Sequence, residues 1–249
     1  MPATLSVLVT GSGGRVGRAV CAELLRRGHR VRGFDLRPTP GLDDARTGDL
    51  KDVKALREAA EGMTGLVHLA AVPDDADFMS LLLPNNVVGL FNVMEAAREA
   101  GIGRVVLAST GQMVSGHEGP WPVTPEMPGT PTNWYASTKA LAEAAGCQYA
   151  RRHGMKVVAL RLGWCPRDQS HIDQIKKGIF GQDIYLSSRD AGRLFACALE
   201  TQVEFKYACC FGTSKPIEKP RFCIESAKRL LGYEPQDRWP QGAEEAGKV

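Results

Sequence analysis

Apolar residues in this chain fall into short, nearly continuous runs, separated by stretches in which they recur every three or four positions. The runs at 5–10 (LSVLVT), 29–35 (HRVRGFD), 65–71 (GLVHLAA), 104–109 (RVVLAS) and 156–163 (KVVALRLG) predict strands, and their Val/Leu content predicts burial on both faces. Helical periodicity over 16–27, 52–62, 86–101 and 134–153 places one helix after each of the first four strands, with Gly62 and Gly101 as closing residues. Strands that alternate with helices predict an α/β fold, a Rossmann-type doubly wound parallel sheet with right-handed crossovers. Beyond Gly163 the rhythm loosens. Residues 165–182 predict a loop with at most a short helix, followed by a brief strand (184–187), a helix (188–200), a strand (205–211) and a late helix (224–232). Neither a repeat nor a linker interrupts the pattern. It therefore predicts one domain over 1–249, with a dinucleotide-binding core at 1–163 and a small C-terminal substrate-binding lobe making up most of 164–249.

Composition narrows the function classes. The 249 residues are 43% hydrophobic and 24% charged, and the net charge of +3 comes from 31 basic and 28 acidic residues scattered along the chain. A nucleic-acid binder concentrates its basic excess on one element, so no nucleic-acid partner is expected. The opening MPATLSVLVTGSGG carries no basic leader or small-residue cleavage site, and no apolar run approaches the ~18 residues of a membrane span. Seven dispersed cysteines without a CxxC pair, including the vicinal Cys209 and Cys210, predict free thiols in a reducing cytoplasm and no metal site.

Candidate chemistry begins directly after the first strand. In TGSGGRVG, Gly11, Gly14 and Gly17 recur at three-residue spacing before a helix. Glycines there permit a tight turn and a close approach of backbone to a pyrophosphate, which then lies against the free N–H groups of the helix N-terminus. Gly11, Gly13, Gly14, Arg15, Val16 and Gly17 are thus candidate cofactor residues. The second strand ends at Asp35, 18 residues past Gly17; a carboxylate there accepts ribose hydroxyls and repels a 2′-phosphate. NAD is therefore expected over NADP, with Leu36 and Arg37 beside it, and Arg37 is read as a solvated loop residue.

Farther on, NWYASTKALAEAAG (133–146) places Tyr135 and Lys139 four apart on one helix face. A free tyrosine titrates near ~10. An ammonium at ~4 Å with an effective dielectric of ~20 favours the phenolate by about 4 kcal/mol, roughly 3 pKa units, which would bring it within reach of neutral pH as a general base.

Taken in order, TGSGGRVG, the Asp35 strand end, GDL (48–50), HLAA (68–71), NVVGLFN (86–92), LAST (107–110), YASTK (135–139) and LRLGWCP (160–166) resemble the extended, epimerase/dehydratase-like branch of the short-chain dehydrogenase/reductases. Within that branch the chain is most similar to the uronate dehydrogenases, which oxidise the C1 hydroxyl of a hexuronic acid to a lactone with NAD. The shared features are short length, NVVGLFNVMEAAR and a compact C-terminal lobe ending in LLGYEPQD. The resemblance implies that Asp49 and Leu50 meet the adenine and that Leu69, Ala70, Ala71 and Cys165 line the cofactor trough. It also implies catalytic roles for Thr110, 25 residues before Tyr135, for Tyr135 and Lys139, and for Asn86 as a structural and proton-relay residue behind them. Lys139 would in addition anchor the nicotinamide ribose. Val72, Gly111, Gln112, Trp164, Arg167 and His171 are the candidate substrate residues. The chain departs from the family at Gly111-Gln112, where Asn-His is usual, and at Trp164, where a Ser is usual. The carboxylate-binding arginine has no clean counterpart.

These features predict an NAD-dependent oxidoreductase of small sugars or sugar acids that pairs as a homodimer through the apolar faces of 86–100 and 133–150. Two further readings are a nucleotide-sugar epimerase or dehydratase, for which the 86 residues after Gly163 leave little substrate domain, and a non-catalytic NAD(P)-binding regulator, which would have lost Tyr135 or Lys139. His68 is read as a packed residue beside the cofactor, and His117, Trp121 and Trp134 as loop or packing residues near the pocket.

Overall fold

A computed structural model describes residues 4–243. Seven strands form a single parallel sheet: β1 (Ser6–Thr10), β2 (Arg30–Asp35), β3 (Asp44–Thr47), β4 (Gly65–His68), β5 (Arg104–Thr110), β6 (Lys156–Leu162) and β7 (Tyr207–Gly212). They lie in the order β3-β2-β1-β4-β5-β6-β7. Side chains that alternate along the strands feed two cores. Val7 and Val9 point to the side covered by α1 (Arg15–Arg26) and α7 (Ser188–Glu200), through Val20, Leu24, Leu194 and Phe195. Leu8, between them, points to the opposite side, covered by α2 (Val53–Ala60), α3 (Gly89–Glu99) and α4 (Trp134–His153), through Leu56, Val93, Met94 and Ala150. With both faces covered, the strands are buried on both sides, as their continuous apolar runs predict. The sheet reverses direction of build between β1 and β4, and that switch point opens a crevice at the carboxyl ends of the strands.

Four local features differ from the sequence pattern. β3 was not predicted, because its residues DART carry no apolar run; it is a four-residue edge strand tethered by Arg32 Nε to Asp44 Oδ2 at 2.8 Å. The helix predicted from 86 begins at 78, as a π-helix over Phe78–Val88 that continues into α3. Pro84 argues against a helix here. The wider turn tolerates its missing N–H, and Asp77 starts the element by accepting from Ser80 N at 2.8 Å and from Leu82 N, five residues on, at 3.1 Å. The predicted strand 184–187 is a single bridge, Trp164 to Tyr185. The segment 165–182 holds two short helices, α5 (Gln169–Lys176) and α6 (Ile179–Asp183).

The later part of the chain is shared between two places. β7 extends the main sheet beside β6, and α7 packs on α1. α5, Tyr185, Trp239 and Ala243 form a separate small cluster with Trp164 and Ile217, while Phe222 stacks on Phe211 at 4.6 Å next to Val114 and Val123. Buried Asp190 fixes this region to α7: it accepts from Ser214 Oγ at 2.7 Å and from the backbone N–H of Gln236 and Asp237 at 2.9 and 3.0 Å. It also pairs with Arg193 at 2.6 Å. No helix among the described residues is long and apolar enough to cross a membrane. All seven cysteines are unpaired thiols, and no group of three His, Cys, Asp or Glu among the described residues could hold a metal ion.

Candidate active site

A cleft of about 700 Å³ runs from the glycine turn, across the ends of β1, β4, β5 and β6, to the small aromatic cluster. At its first end the chain leaves β1 at Gly11, whose φ of +75° only glycine adopts without strain. A Cβ on Gly11 would sit 2.6 Å from Ala70 N, and one on Gly17 would sit 2.0 Å from Gly11 O. The turn therefore nests against the Leu69–Ala70 peptide and lets α1 start directly over it. No side chain caps α1, and Arg15, Val16 and Gly17 of its first turn line the cleft, so the helix N-terminus lies where an anion is received. This cradle fits a dinucleotide pyrophosphate.

Asp35 stands next to the cradle. Its Oδ2 accepts from Gly13 N at 3.0 Å and its Oδ1 from Arg37 N at 3.3 Å, so the carboxylate is held in place beside the glycine turn. Leu36 and Arg37 are exposed there. Asp49 Oδ1 accepts from Lys51 N and its Oδ2 pairs with Lys51 Nζ at 3.2 Å, while Leu50 is buried in the core with its carbonyl held by Asn92. Gly11, Gly14, Arg15, Val16, Gly17, Leu69 and Ala71 line the cleft itself. Arg15 leans away from the turn, with Nε donating to Ser188 Oγ at 2.8 Å.

Midway, the sheet and α4 bring together Thr110 at the end of β5, Tyr135 in the first turn of α4 and Lys139 one turn later, which share one cleft wall. The helix starts here because Asn133 Oδ1 accepts from Ala136 N at 2.8 Å. Lys139 is buried, its Nζ donating to Ala108 O at 3.0 Å and lying 5.8 Å from the Tyr135 ring centre. Burial lowers the Lys139 pKa from 10.5 to about 8. Burial pushes Tyr135 up to about 12; the negative charge of Asp74 adds to this, while the Thr110 hydroxyl and the charge of Arg167 pull it down. The lysine ammonium is turned to the Ala108 carbonyl. In this site, desolvation outweighs the attraction between the two groups. His68 is buried against Thr10 Oγ1 at 2.7 Å and burial holds it neutral, with a pKa near 3, as expected of a packed residue.

The buried lysine makes stability depend on pH. A folded-state pKa near 8 against an ordinary 10.5 favours the neutral amine, so its contribution is present above pH 10.5 and lost as pH falls through 8. At pH 7 the charged form costs up to about 3 kcal/mol. Lys139→Met should therefore gain stability relative to the parent by about that amount between pH 10.5 and pH 7 in urea unfolding. A gap that does not change with pH would rule this out.

Asn86 does not line the cleft. Its amide clamps both backbone groups of Val72, accepting from Val72 N at 2.8 Å and donating to Val72 O at 2.9 Å, and reaches Thr138 Oγ1 at 3.2 Å. Thr138 in turn donates to the Tyr135 carbonyl at 2.7 Å. Ser109 turns inward to Glu143 Oε1 at 2.5 Å, where Arg161 also binds Glu143 with two bonds of 2.9 Å.

The far end holds Gly111, Gln112, Trp164, Cys165, Arg167 and His171, all on the cleft wall. Burial raises the Cys165 thiol to about 12, so it stays protonated. Trp121 and Phe180 meet edge-on at 5.2 Å, and His117 packs against Trp121 at 5.2 Å. The sequence pattern did not single out Asp74, Phe180 or Phe222. Asp74 carried one signal that only the backbone reveals, a φ of +60°, uncommon for a residue with a side chain.

Residues 7–164 match the model of the NAD dependent epimerase/dehydratase family. Over 93% of both chains, the protein is 32% identical to an NAD-dependent glucose-6-phosphate dehydrogenase of Haloferax volcanii. It is 37% identical to an L-arabinose 1-dehydrogenase (NAD(P)+) of the same organism, over 64% of this chain and 66% of that one. Among solved structures, a mutated uronate dehydrogenase superposes with a TM-score of 0.79 at 25% identity, covering 99% of this chain and 86% of the other. The chain belongs to the NAD dependent epimerase/dehydratase family, the extended branch of the short-chain dehydrogenase/reductases.

Proposed function

We propose that the protein is an NAD-dependent dehydrogenase that oxidises a hydroxyl carbon of a small free sugar or sugar acid. The observation that carries this reading is the convergence of Thr110, Tyr135 and Lys139 on one wall of a cleft that begins at the glycine turn. Gly11, Gly13, Gly14, Val16 and Gly17 would hold the pyrophosphate, and Asp35, fixed by Gly13 N, would accept the adenosine ribose hydroxyls and disfavour a 2′-phosphate. When bound, NAD supplies the hydride acceptor. Thr110 would hold the substrate oxygen beside Tyr135, and Tyr135 would take the hydroxyl proton. Lys139, anchored on Ala108 O, would place its charge between the tyrosine and the ribose. Asn86 would act through Val72 and Thr138, setting the helix turn on which Tyr135 and Lys139 stand.

The rest of the reading concerns assembly and place. The chain works as one unit, with the aromatic clusters around Trp164, Phe180 and Phe222 covering the substrate end. A homodimer would bury Met79, Phe91 and Trp134, which are 68%, 60% and 60% exposed on the outer faces of the π-helix, α3 and α4. Light scattering is expected to give twice the 27.0 kDa chain mass, and Phe91→Glu to give a monomer. Seven unpaired thiols fit a reducing cytoplasm.

The test is absorbance at 340 nm with NAD or NADP against aldoses, hexuronic acids and simple secondary alcohols. NADH formation with a sugar, and faster turnover with NAD than NADP, is the expected result. Turnover of secondary alcohols alone would overturn the sugar reading.

A further inference from the structure

The substrate end of the cleft carries an ion pair. Arg167, after β6, donates to Asp74, after β4, across the cleft. The other oxygen of Asp74 accepts from Gln112 Nε2 at 3.3 Å, and Gln112 Oε1 accepts from Asn133 Nδ2 at 2.8 Å. Asn133 is the cap of the helix bearing Tyr135. A continuous polar chain thus runs from Arg167 to the catalytic helix, and its members lie on three different loops.

The other cations and histidines around this chain already have hydrogen-bond or ion-pair partners. Arg15 bonds Ser188 at the glycine turn, and Lys139 bonds Ala108 O. Behind Phe180, Arg221 is paired with Asp183 at 3.2 Å and stacks on the Phe180 ring at 5.2 Å. His171 Nδ1 accepts from Arg167 N at 3.4 Å, and His117 Nε2 bonds Pro120 O at 3.0 Å. A substrate carboxylate or phosphate entering here meets Arg167 and Asp74 together, two opposite charges at comparable distance that largely cancel. A neutral sugar meets a carboxylate that accepts its hydroxyls and a guanidinium that donates to them, bonds that are stronger for being charge-assisted. The remaining wall of Trp121, Trp164 and Phe180 offers flat apolar faces for the C–H side of a ring.

We infer that Asp74 and Arg167 form a hydroxyl-reading clasp that makes this site selective for neutral aldoses over uronic acids and sugar phosphates. The inference rests on the sugar-dehydrogenase reading and goes beyond it, since relatives carry names with both neutral and anionic sugars. Specificity here comes from the carboxylate that an anion must approach as much as from the bonds made to a neutral hydroxyl.

The experiment compares kcat/KM of the full chain with NAD for D-galactose, D-galacturonate, D-glucose and D-glucose 6-phosphate. The neutral sugars should exceed their anionic counterparts at least tenfold. Asp74→Asn keeps the shape and releases Arg167, so the ratio should shift at least tenfold toward galacturonate. Arg167→Gln should weaken the neutral sugars without improving the anionic ones. A tenfold preference of the parent for either anionic sugar, or an unchanged ratio in Asp74→Asn, would overturn the clasp while leaving the dehydrogenase intact. Absence of NADH from all four sugars with NAD bound would overturn the dehydrogenase reading and the clasp with it.

Discussion

Tyr135→Phe will lower kcat about a thousandfold while leaving NAD affinity within a fewfold of the parent. A positioned general acid–base group contributes about 10²- to 10⁴-fold, and the phenol oxygen is the atom removed. The phenylalanine ring keeps the packing of the first turn of α4. The bonds that set that turn, Asn133 Oδ1 to Ala136 N and Thr138 Oγ1 to the carbonyl of residue 135, involve no atom of the phenol. A loss of binding along with rate would mean that the helix had moved, and turnover within tenfold of the parent would remove Tyr135 from the proton-transfer role. Steady-state kinetics on the best sugar, together with calorimetric NAD titration, separates the two.

Arg161→Met will destabilise the fold by about 3–5 kcal/mol, the cost of leaving a buried carboxylate without its partner. Glu143 and Arg161 are 9% and 5% exposed, and they are joined by two bonds of 2.9 Å between α4 and β6. Ser109 adds a third contact from β5, and Arg161 Nη1 reaches Pro125 O at 3.3 Å in the loop over the cleft. This cluster sits one helical turn beyond Lys139 and one residue before Thr110, so it sets the distance between α4 and the end of β5. Glu143→Leu combined with Arg161→Met should recover most of the stability, because replacing both charges leaves no ion uncompensated. Urea unfolding of the single and double variants gives the answer; equal losses in both would show that packing around Arg161, rather than the charge, is what matters.

Much of the architecture was legible because it is written locally. The run SVLVT, the glycines 11, 14 and 17, and the helix that follows them are contiguous, and the demands met by the positive φ of Gly11 and by the close approach of Gly14 and Gly17 to Gly11 O arise within the turn itself. Tyr135 and Lys139 share a face simply because they are one turn apart, and the bounds of α4 agree with its periodicity from Trp134 to His153. β3 escaped because an edge strand of four residues, three of them polar, has no hydrophobic face to betray it. The π-helix escaped because Pro84 signals a break wherever the turn is assumed to be α-helical.

What the sequence determined by itself is the alternation of the main strands and helices, the glycine turn after β1 and the spacing of Thr110, Tyr135 and Lys139. These depend on backbone conformation and on side-chain period over neighbouring residues. Tertiary structure decided the rest. It brought Asp74 and Arg167, 93 residues apart, into one ion pair, and Phe180 against Trp121. It also set the protonation along the cleft wall, because burial pushes Tyr135 up and Lys139 down and depends on how much chain packs around each group. Desolvation and long-range charge contacts are sums over the folded surroundings, and no local window of sequence contains them.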